Sequence, residues 1–127
     1  MAARTSRVVI VGGGFGGLNA AKAFAGRKDV ELLLIDRTNH HLFQPLLYQV
    51  ATTALAPSDI TAPIRWVLRR QRNVTTLLGT VERVDRAAQA IHVKGEPEPV
   101  HYDYLIVAPG ARHSYFGHDG WERWAPG

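Results

Sequence analysis

The segment VVIVGGGFGG, residues 8–17, constrains the fold more than any other part of the chain. A short apolar run that ends in a glycine-rich loop predicts a buried β-strand followed by the first turn of a helix. Three of its glycines match the spacing GxGxxG, and each has its own steric task. Gly12 allows a tight turn, Gly14 lets the main chain approach a phosphate, and Gly17 lets the helix pack closely on the sheet. The segment therefore predicts a dinucleotide pyrophosphate site at the N-terminus of a helix.

The residues that follow complete a βαβ unit. Apolar residues recur at helical spacing as far as Gly26, which is a suitable left-handed residue after a helix. A second buried strand is predicted from Val30 to Ile35, and it ends at Asp36. Asp36 follows Gly17 by 19 residues, close to the ~20 expected for an acid that binds the ribose hydroxyls of a dinucleotide. A lone GxGxxG also occurs in structural turns, but this context favours nucleotide binding.

Composition limits the size and class of the chain. With 127 residues, of which 46% are hydrophobic, it can form one core, so it is one domain or part of one. The net charge of +4 is diffuse and predicts no nucleic-acid partner. The absence of cysteine excludes disulfides and thiolate metal sites within these residues. No run approaches the ~20 apolar residues of a membrane span, and the polar start does not resemble a signal peptide.

Residues 37–78 carry weaker signals. His40 and His41 are predicted to be loop residues rather than metal ligands, because adjacent residues do not face one site and no third ligand is near. Pro45 suits the first position of a short helix. A basic helix is predicted from about Ile60 to Arg70, with its arginines on a solvated face rather than on a membrane-surface patch. A third strand, Val74 to Leu78, is predicted to be parallel to the first two.

The last third of the chain departs from the order of an NAD-dependent dehydrogenase. Apolar residues alternate with polar ones from Thr80 to Tyr102, which predicts an antiparallel β-meander in place of the usual crossover helix. Tyr104 to Ala108 predicts a strand in the centre of the sheet. This order favours the α/β class and an FAD-type Rossmann fold of three layers, ββα, with a parallel sheet and a meander. The cofactor would lie across the carboxyl ends of the parallel strands.

Three runs resemble the type II NADH dehydrogenases, single-chain flavoproteins that pass electrons from NADH to a quinone. They are DRTNHHLFQPLLYQVAT at residues 36–52, GGGFGG at residues 12–17 and YDYLIVAPGARHSYFGHDGWE at residues 102–122. The first run is the most specific, because many flavoproteins share the glycine motif. The resemblance spans essentially the whole chain and implies that its cofactor is FAD.

The resemblance also implies which residues bind FAD: Gly12, Gly14, Phe15, Gly16 and Gly17 at the pyrophosphate, Asp36 at the adenosine ribose with Arg37 beside it, Val81 at the adenine through its main chain, and Ala108 and Gly110 in a turn that closes over the cofactor. The family usually has Thr where this chain has Pro109, so no N–H is available there for a hydrogen bond. The region from Pro45 to Tyr48 would lie toward the flavin or serve as core packing. No catalytic residue and no metal ligand is expected, because the cofactor carries the chemistry.

Members of this family continue into an NADH-binding domain and end in segments that lie on the membrane. Residues 1–127 would then be the N-terminal part of an FAD-binding domain, an incomplete domain with its meander at about 80–102. The end of the chain resembles the family sequence cut in mid-course. The whole protein would use NADH as substrate and a quinone as partner, at the cytoplasmic face of the inner membrane as a peripheral protein, and could form a homodimer. The piece itself would be soluble in the cytoplasm and inactive.

Two other interpretations compete with this one. The first is another FAD-dependent oxidoreductase, of the pyridine nucleotide-disulfide or sulfide:quinone type. The former would carry a cysteine pair soon after the acid, and the stretch from Arg37 to Thr61 has none. The second is a non-catalytic nucleotide-binding fragment, whose parallel sheet would lack part of the cover that such sheets require.

Overall fold

Residues 4–126, which this computed structural model describes, contain nine β-strands and three α-helices. The strands are β1 (Ser6–Val11), β2 (Val30–Asp36), β3 (His40–Leu42), β4 (Thr61–Pro63), β5 (Val74–Leu78), β6 (Val81–Asp85), β7 (Ala90–Val93), β8 (Val100–His101) and β9 (Tyr104–Val107). The helices are α1 (Phe15–Ala23), α2 (Leu47–Ala51) and α3 (Ile64–Val67), and 3₁₀ turns lie at Gln44–Leu46, Pro57–Asp59 and Asp119–Arg123. None of these helices has the length and apolar character needed to cross a bilayer.

The central sheet contains four parallel strands in the order β5-β2-β1-β9. The predicted βαβ unit and the parallel third strand are thereby confirmed. The prediction that Tyr104 to Ala108 forms a central strand is wrong for the described residues, because β9 pairs only with β1 and forms an edge. Tyr104 and Val107 are 64% and 61% exposed. The apolar character of β9 is typical of a covered strand, but no segment within residues 4–126 pairs with its other side.

Alternation along β1 and β2 divides the core into two halves, because successive side chains of a strand point to opposite faces. One half contains strand residues together with residues of α1, of α3 and of its C-cap: Val8, Ile10, Val30, Leu32, Leu34, Leu18, Ala21, Ile64 and Leu68. The other half contains strand residues together with β7: Val9, Leu33, Ile35, Ile91 and Val93. Each Leu or Ile buried in this way contributes about 1.5–3 kcal/mol relative to exposure. The chain thus has the predicted three layers, with the antiparallel meander β6-β7-β8 on one face and helices on the other.

The predicted helix from Ile60 to Arg70 is wrong in extent. Its first part is strand β4, and α3 covers only four residues, Ile64–Val67. Pro63 explains the late start, since a proline disfavours the helical conformation of the residue before it and keeps the chain extended. The apolar periodicity was partly informative, because Ile64 and Leu68 are both buried against the sheet.

The predicted loop at His40 and His41 is instead strand β3, which pairs antiparallel with β4. Two further backbone bonds close the pair: Phe43 N donates to Ile60 O at 2.7 Å, and Ile64 N donates to Asn39 O at 3.0 Å. The partner strand is about twenty residues away in sequence, so no local sequence pattern predicts the pairing. The β3–β4 pair brings residues 40–44 beside the glycine loop.

Candidate dinucleotide-binding site

Close backbone contacts fix the turn from β1 into α1. Gly12 has φ +104°, a conformation that side chains strongly disfavour, and a Cβ there would lie 2.1 Å from Ala108 O. A Cβ on Gly17 would lie 1.7 Å from Gly12 O. These two positions must be glycine for the turn to exist, whether or not a ligand binds.

Gly14 obeys a different constraint. Its backbone is ordinary, with φ −77° and ψ −160°, and a Cβ there would meet nothing within 4 Å. On Gly16 a Cβ would lie 3.4 Å from the Cβ of Ala108, which is ordinary contact. The packing of the described residues therefore does not require Gly14, although its bare backbone leaves the loop open to close approach from outside.

The first turn of α1 presents unused donors. Phe15 and Gly16 are exposed residues whose N–H groups have no acceptor among the described residues, and the first intrahelical bond runs from Leu18 N to Gly14 O at 3.0 Å. The turn contains no acidic residue, and no side chain caps it. Because the N-terminus of a helix also carries a partial positive charge, this end of α1 favours an anion.

Asp36 at the end of β2 holds the loop from the other side. Its Oδ2 accepts a hydrogen bond from Gly13 N at 2.5 Å. Its Oδ1 accepts from Thr38 N and from Thr38 Oγ1, both at 2.7 Å. The acid that the sequence predicts as a ribose ligand is therefore also a structural link between the end of β2 and the glycine loop.

Gly13 is enclosed on three sides. Besides the bond from its N–H to Asp36, its carbonyl lies 3.2 Å from Nδ1 of His41. A Cβ on Gly13 would lie 2.5 Å from Cδ1 of Ile64. Sequence reasoning assigned no task to Gly13 or to His41, because their contacts join residues more than twenty positions apart.

Two neighbouring hollows flank the loop at the carboxyl ends of the parallel strands. One, of about 380 Å³, reaches toward the meander and is lined by Gly12, Gly79, Thr80, Val81 and Arg112. The other, of about 500 Å³, reaches toward β3 and is lined by Gly13, Gly14, Phe15, Gly16, His41 and Ala108. They share Asp36, Arg37, Pro109, Gly110 and Ala111 as walls. Both volumes lie in the range of small-molecule sites, and together they form a groove across the strand ends.

Residues 6–125 match the family described as pyridine nucleotide-disulphide oxidoreductase. The chain belongs to this family. The family description refers to a disulfide, but a chain with no cysteine in its 127 residues cannot supply one.

Known proteins resemble this pyridine nucleotide-disulphide oxidoreductase chain over nearly all of its length. It is 55% identical over 126 residues to the type II NADH:quinone oxidoreductase Ndh of Mycobacterium tuberculosis, covering 98% of this chain and 27% of that protein. The structure of NDH2 from Plasmodium falciparum in complex with NADH superposes with a TM-score of 0.83 at 26% identity, covering 94% of this chain and 25% of that one. The sulfide:quinone oxidoreductase of Aquifex aeolicus superposes with a TM-score of 0.79 at 25% identity, covering 87% and 26%.

These comparisons confirm the resemblance to type II NADH dehydrogenases. They also show that the chain spans about a quarter of the length of the relatives it matches.

The structure brings together the predicted site residues of this pyridine nucleotide-disulphide oxidoreductase chain, with one exception. Every predicted cofactor-binding residue except Gly17 lines one of the two hollows. Gly17 is buried behind the loop, against Gly12. Sequence reasoning missed Gly13, His41 and Arg112. Arg112 could have been noted, because it lies in the run that follows β9 and carries a charge suited to an anionic ligand. That these residues contact a cofactor stays a prediction.

Proposed function

We propose that this chain is the N-terminal, FAD-binding part of a type II NADH:quinone oxidoreductase. The observation that carries the proposal is the open backbone at Gly14 beside the unused N–H groups of Phe15 and Gly16, at the centre of a groove across the strand ends. The 55% identity to the mycobacterial Ndh supports the choice of reaction.

In this proposal the described residues bind and orient FAD. The N–H groups of the first turn of α1 donate to the pyrophosphate, and Gly14 permits its close approach. Arg37 adds positive charge at the wall that the two hollows share. The main chain at Val81 meets the adenine, and the turn from Ala108 to Gly110 covers the cofactor. When bound, FAD supplies the electron-transfer chemistry between NADH and quinone that side chains lack.

Asp36 can accept the ribose hydroxyls without releasing the loop. A carboxylate offers about four lone-pair positions, and in this structure Gly13 N, Thr38 N and Thr38 Oγ1 occupy three of them. The Thr38 hydroxyl has one proton and also lies 3.2 Å from His40 O. If that hydroxyl turns to His40, two positions on Asp36 become available for the two hydroxyls of the ribose.

A direct binding experiment tests the proposal. The purified chain is titrated with FAD, AMP and NAD, and binding is measured by calorimetry and by the quenching of flavin fluorescence. We expect FAD to bind more tightly than AMP or NAD. A folded chain that binds no FAD, or that prefers NAD, would refute the assignment.

The activity of the whole protein is proposed to be oxidation of NADH with a quinone as acceptor, with NADH bound outside residues 1–127. The proposed location is peripheral, at the cytoplasmic face of the inner membrane, and the proposed assembly is a homodimer. The longest reading frame that contains this chain is assayed with NADH or sulfide as reductant, and its binding to vesicles and its mass in solution are measured. Reduction of quinone by sulfide rather than NADH would instead favour the function of the Aquifex relative.

A further inference from the structure

The carbonyl of Gly13 shows how His41 is bound to the loop. Nδ1 of His41 lies 3.2 Å from Gly13 O, and the imidazole is partly buried. A carbonyl oxygen can only accept a hydrogen bond, so Nδ1 must carry the proton in this contact. The neutral ring is thereby restricted to one tautomer, with Nε2 unprotonated.

We infer that His41 is a positioning residue for the glycine loop that holds the FAD pyrophosphate, an inference that rests on the function proposed above. Asp36 accepts from Gly13 N, and His41 donates to Gly13 O. The two contacts fix the peptide units on both sides of Gly13. Because Gly14 follows directly and is the N-cap of α1, those contacts set the direction in which the first-turn N–H groups point.

The β3–β4 pair holds His41 in place. His41 is the middle residue of β3 and lies opposite Ala62. The edge of its ring packs against Phe15, with centroids 4.9 Å apart and planes at 88°. Phe15 also contacts Phe43, with centroids 5.6 Å apart. His41 therefore joins the paired strands both to the loop carbonyl and to the first residue of α1.

His40 provides a matched comparison within the same strand. Adjacent residues of a strand point to opposite faces, and the ring of His40 reaches only Asn39 Oδ1, at 3.5 Å. It makes no hydrogen bond to the glycine loop among the described residues, although His40 also lines the larger hollow. A change at His40 therefore perturbs the same strand without removing the bond to Gly13.

The first test needs no ligand. The ¹⁵N shifts of the imidazole nitrogens are measured in the purified chain at about pH 8, where histidine is largely neutral. We expect His41 to carry its proton on Nδ1. An unprotonated Nδ1 in the folded chain would overturn the inference, whatever the chain binds.

The second test measures FAD affinity in three variants. His41→Phe keeps an aromatic ring against Phe15 but removes the donor, and it should weaken binding roughly 3- to 10-fold, as the loss of one hydrogen bond permits. His41→Asn, whose amide nitrogen can replace Nδ1, should recover most of that affinity. His40→Phe changes the same strand and the same hollow but keeps the donor to Gly13, so it should lower the affinity less than His41→Phe does.

The outcomes separate this inference from the proposed function. If the wild type binds FAD and His41→Phe binds it equally well, the positioning role is wrong and the function stands. If His41→Phe fails to fold, as measured by circular dichroism, His41→Asn decides. An affinity close to that of the wild type supports the role, and a loss as large as the roughly 3- to 10-fold expected without the donor overturns it. If the folded wild type binds no FAD, the proposed function fails first and the role of His41 toward FAD fails with it.

Discussion

The substitution Gly14→Ala separates the two constraints on the glycine loop. A methyl group at this position would meet no protein atom within 4 Å, and φ of −77° suits alanine. In the proposed binding site, the same methyl would stand where the pyrophosphate approaches the N–H groups of Phe15 and Gly16. We therefore expect the fold to tolerate the change and FAD binding to suffer.

Two opposing effects set the change in stability. Alanine in place of glycine stabilises a compatible site by about 0.4–1 kcal/mol, because it restricts the unfolded chain. Gly14 is also the N-cap of α1, a position where alanine is less favourable than glycine by roughly 0.5–1 kcal/mol. The two nearly cancel, so the free energy of unfolding should change by less than about 0.5 kcal/mol.

The effect on binding should be much larger. A hydrogen bond to a charged group contributes about 1.5–3 kcal/mol, which corresponds to roughly a 10- to 150-fold change in affinity. Keeping the phosphates at a distance would remove at least one such bond. We expect the Kd for FAD to rise by at least about tenfold.

Gly17→Ala is the matched control. A Cβ there would lie 1.7 Å from Gly12 O, a backbone atom that cannot move without opening the turn. The cost of such overpacking is about 1–3 kcal/mol or more, a large share of the ~5–15 kcal/mol that stabilises a whole domain. This variant should therefore lose stability, whereas Gly14→Ala should not.

Urea unfolding and FAD titration on the three proteins decide the matter. If Gly14→Ala binds FAD as tightly as the wild type does, the pyrophosphate does not lie on this loop, and the central step of the functional argument is refuted. If it unfolds as readily as Gly17→Ala, the space around Gly14 has been misjudged.

Three further predictions concern the links that hold the site and the sheet. Asp36→Asn should lower the free energy of unfolding by roughly 1–3 kcal/mol, measured in urea. The NH₂ group of the new asparagine must face a backbone N–H that donates to the carboxylate in the wild type. An unchanged free energy of unfolding would contradict these bonds. Asn73→Leu should cost a similar ~1–3 kcal/mol in the same assay, because Asn73 Nδ2 contacts the carbonyls of residues 24, 27 and 30 at 3.0–3.3 Å; Arg72→Leu, next to it, should cost less. The hydrogen bond and charge of Arg27 lower the pKa of Asp29 from 3.8 to about 2, so this exposed pair stabilises the fold above pH 3.8 and ceases to do so as the pH falls toward 2. Tm should accordingly fall further over that range in the wild type than in Arg27→Gln at low salt, and equal falls would show that the pair has no effect.

The sequence alone predicted the elements whose signals are local. Largely apolar runs of four to six residues, each followed by glycine or an acid, predicted β1, β2 and β5 within one or two residues. Alternation of apolar and polar residues predicted the meander. The spacing from Gly17 to Asp36 predicted that the acid would stand at the carboxyl edge of the sheet, beside the loop, and the bond from Gly13 N to Asp36 places it there.

Features that depend on distant partners were missed or misread. Strands β3 and β4 contain three residues each, and the pairing between them is not encoded in either segment alone. The apolar periodicity from Ile60 to Leu68 suggested a helix whose start Pro63 delays to Ile64. The position of β9 at the edge depends on which strands flank it. Its apolar sequence indicates only that other segments should pack on its faces.

Two different constraints thus act on the glycines of one motif, packing within the protein and close approach of a ligand. This explains why the motif alone is a weak predictor of function. Contacts within the protein require glycine at Gly12 and Gly17. A Cβ added to either residue would lie 2.1 Å or 1.7 Å, respectively, from the nearest backbone oxygen, so any tight strand-to-helix turn of this geometry would select glycine there. Gly14 has no such requirement within the described residues, and a position that the fold leaves free to carry a side chain, yet that presents bare backbone to an open groove, indicates a ligand. The functional signal therefore lies less in the number of glycines than in Gly14, the glycine of the GxGxxG spacing that the packing does not explain.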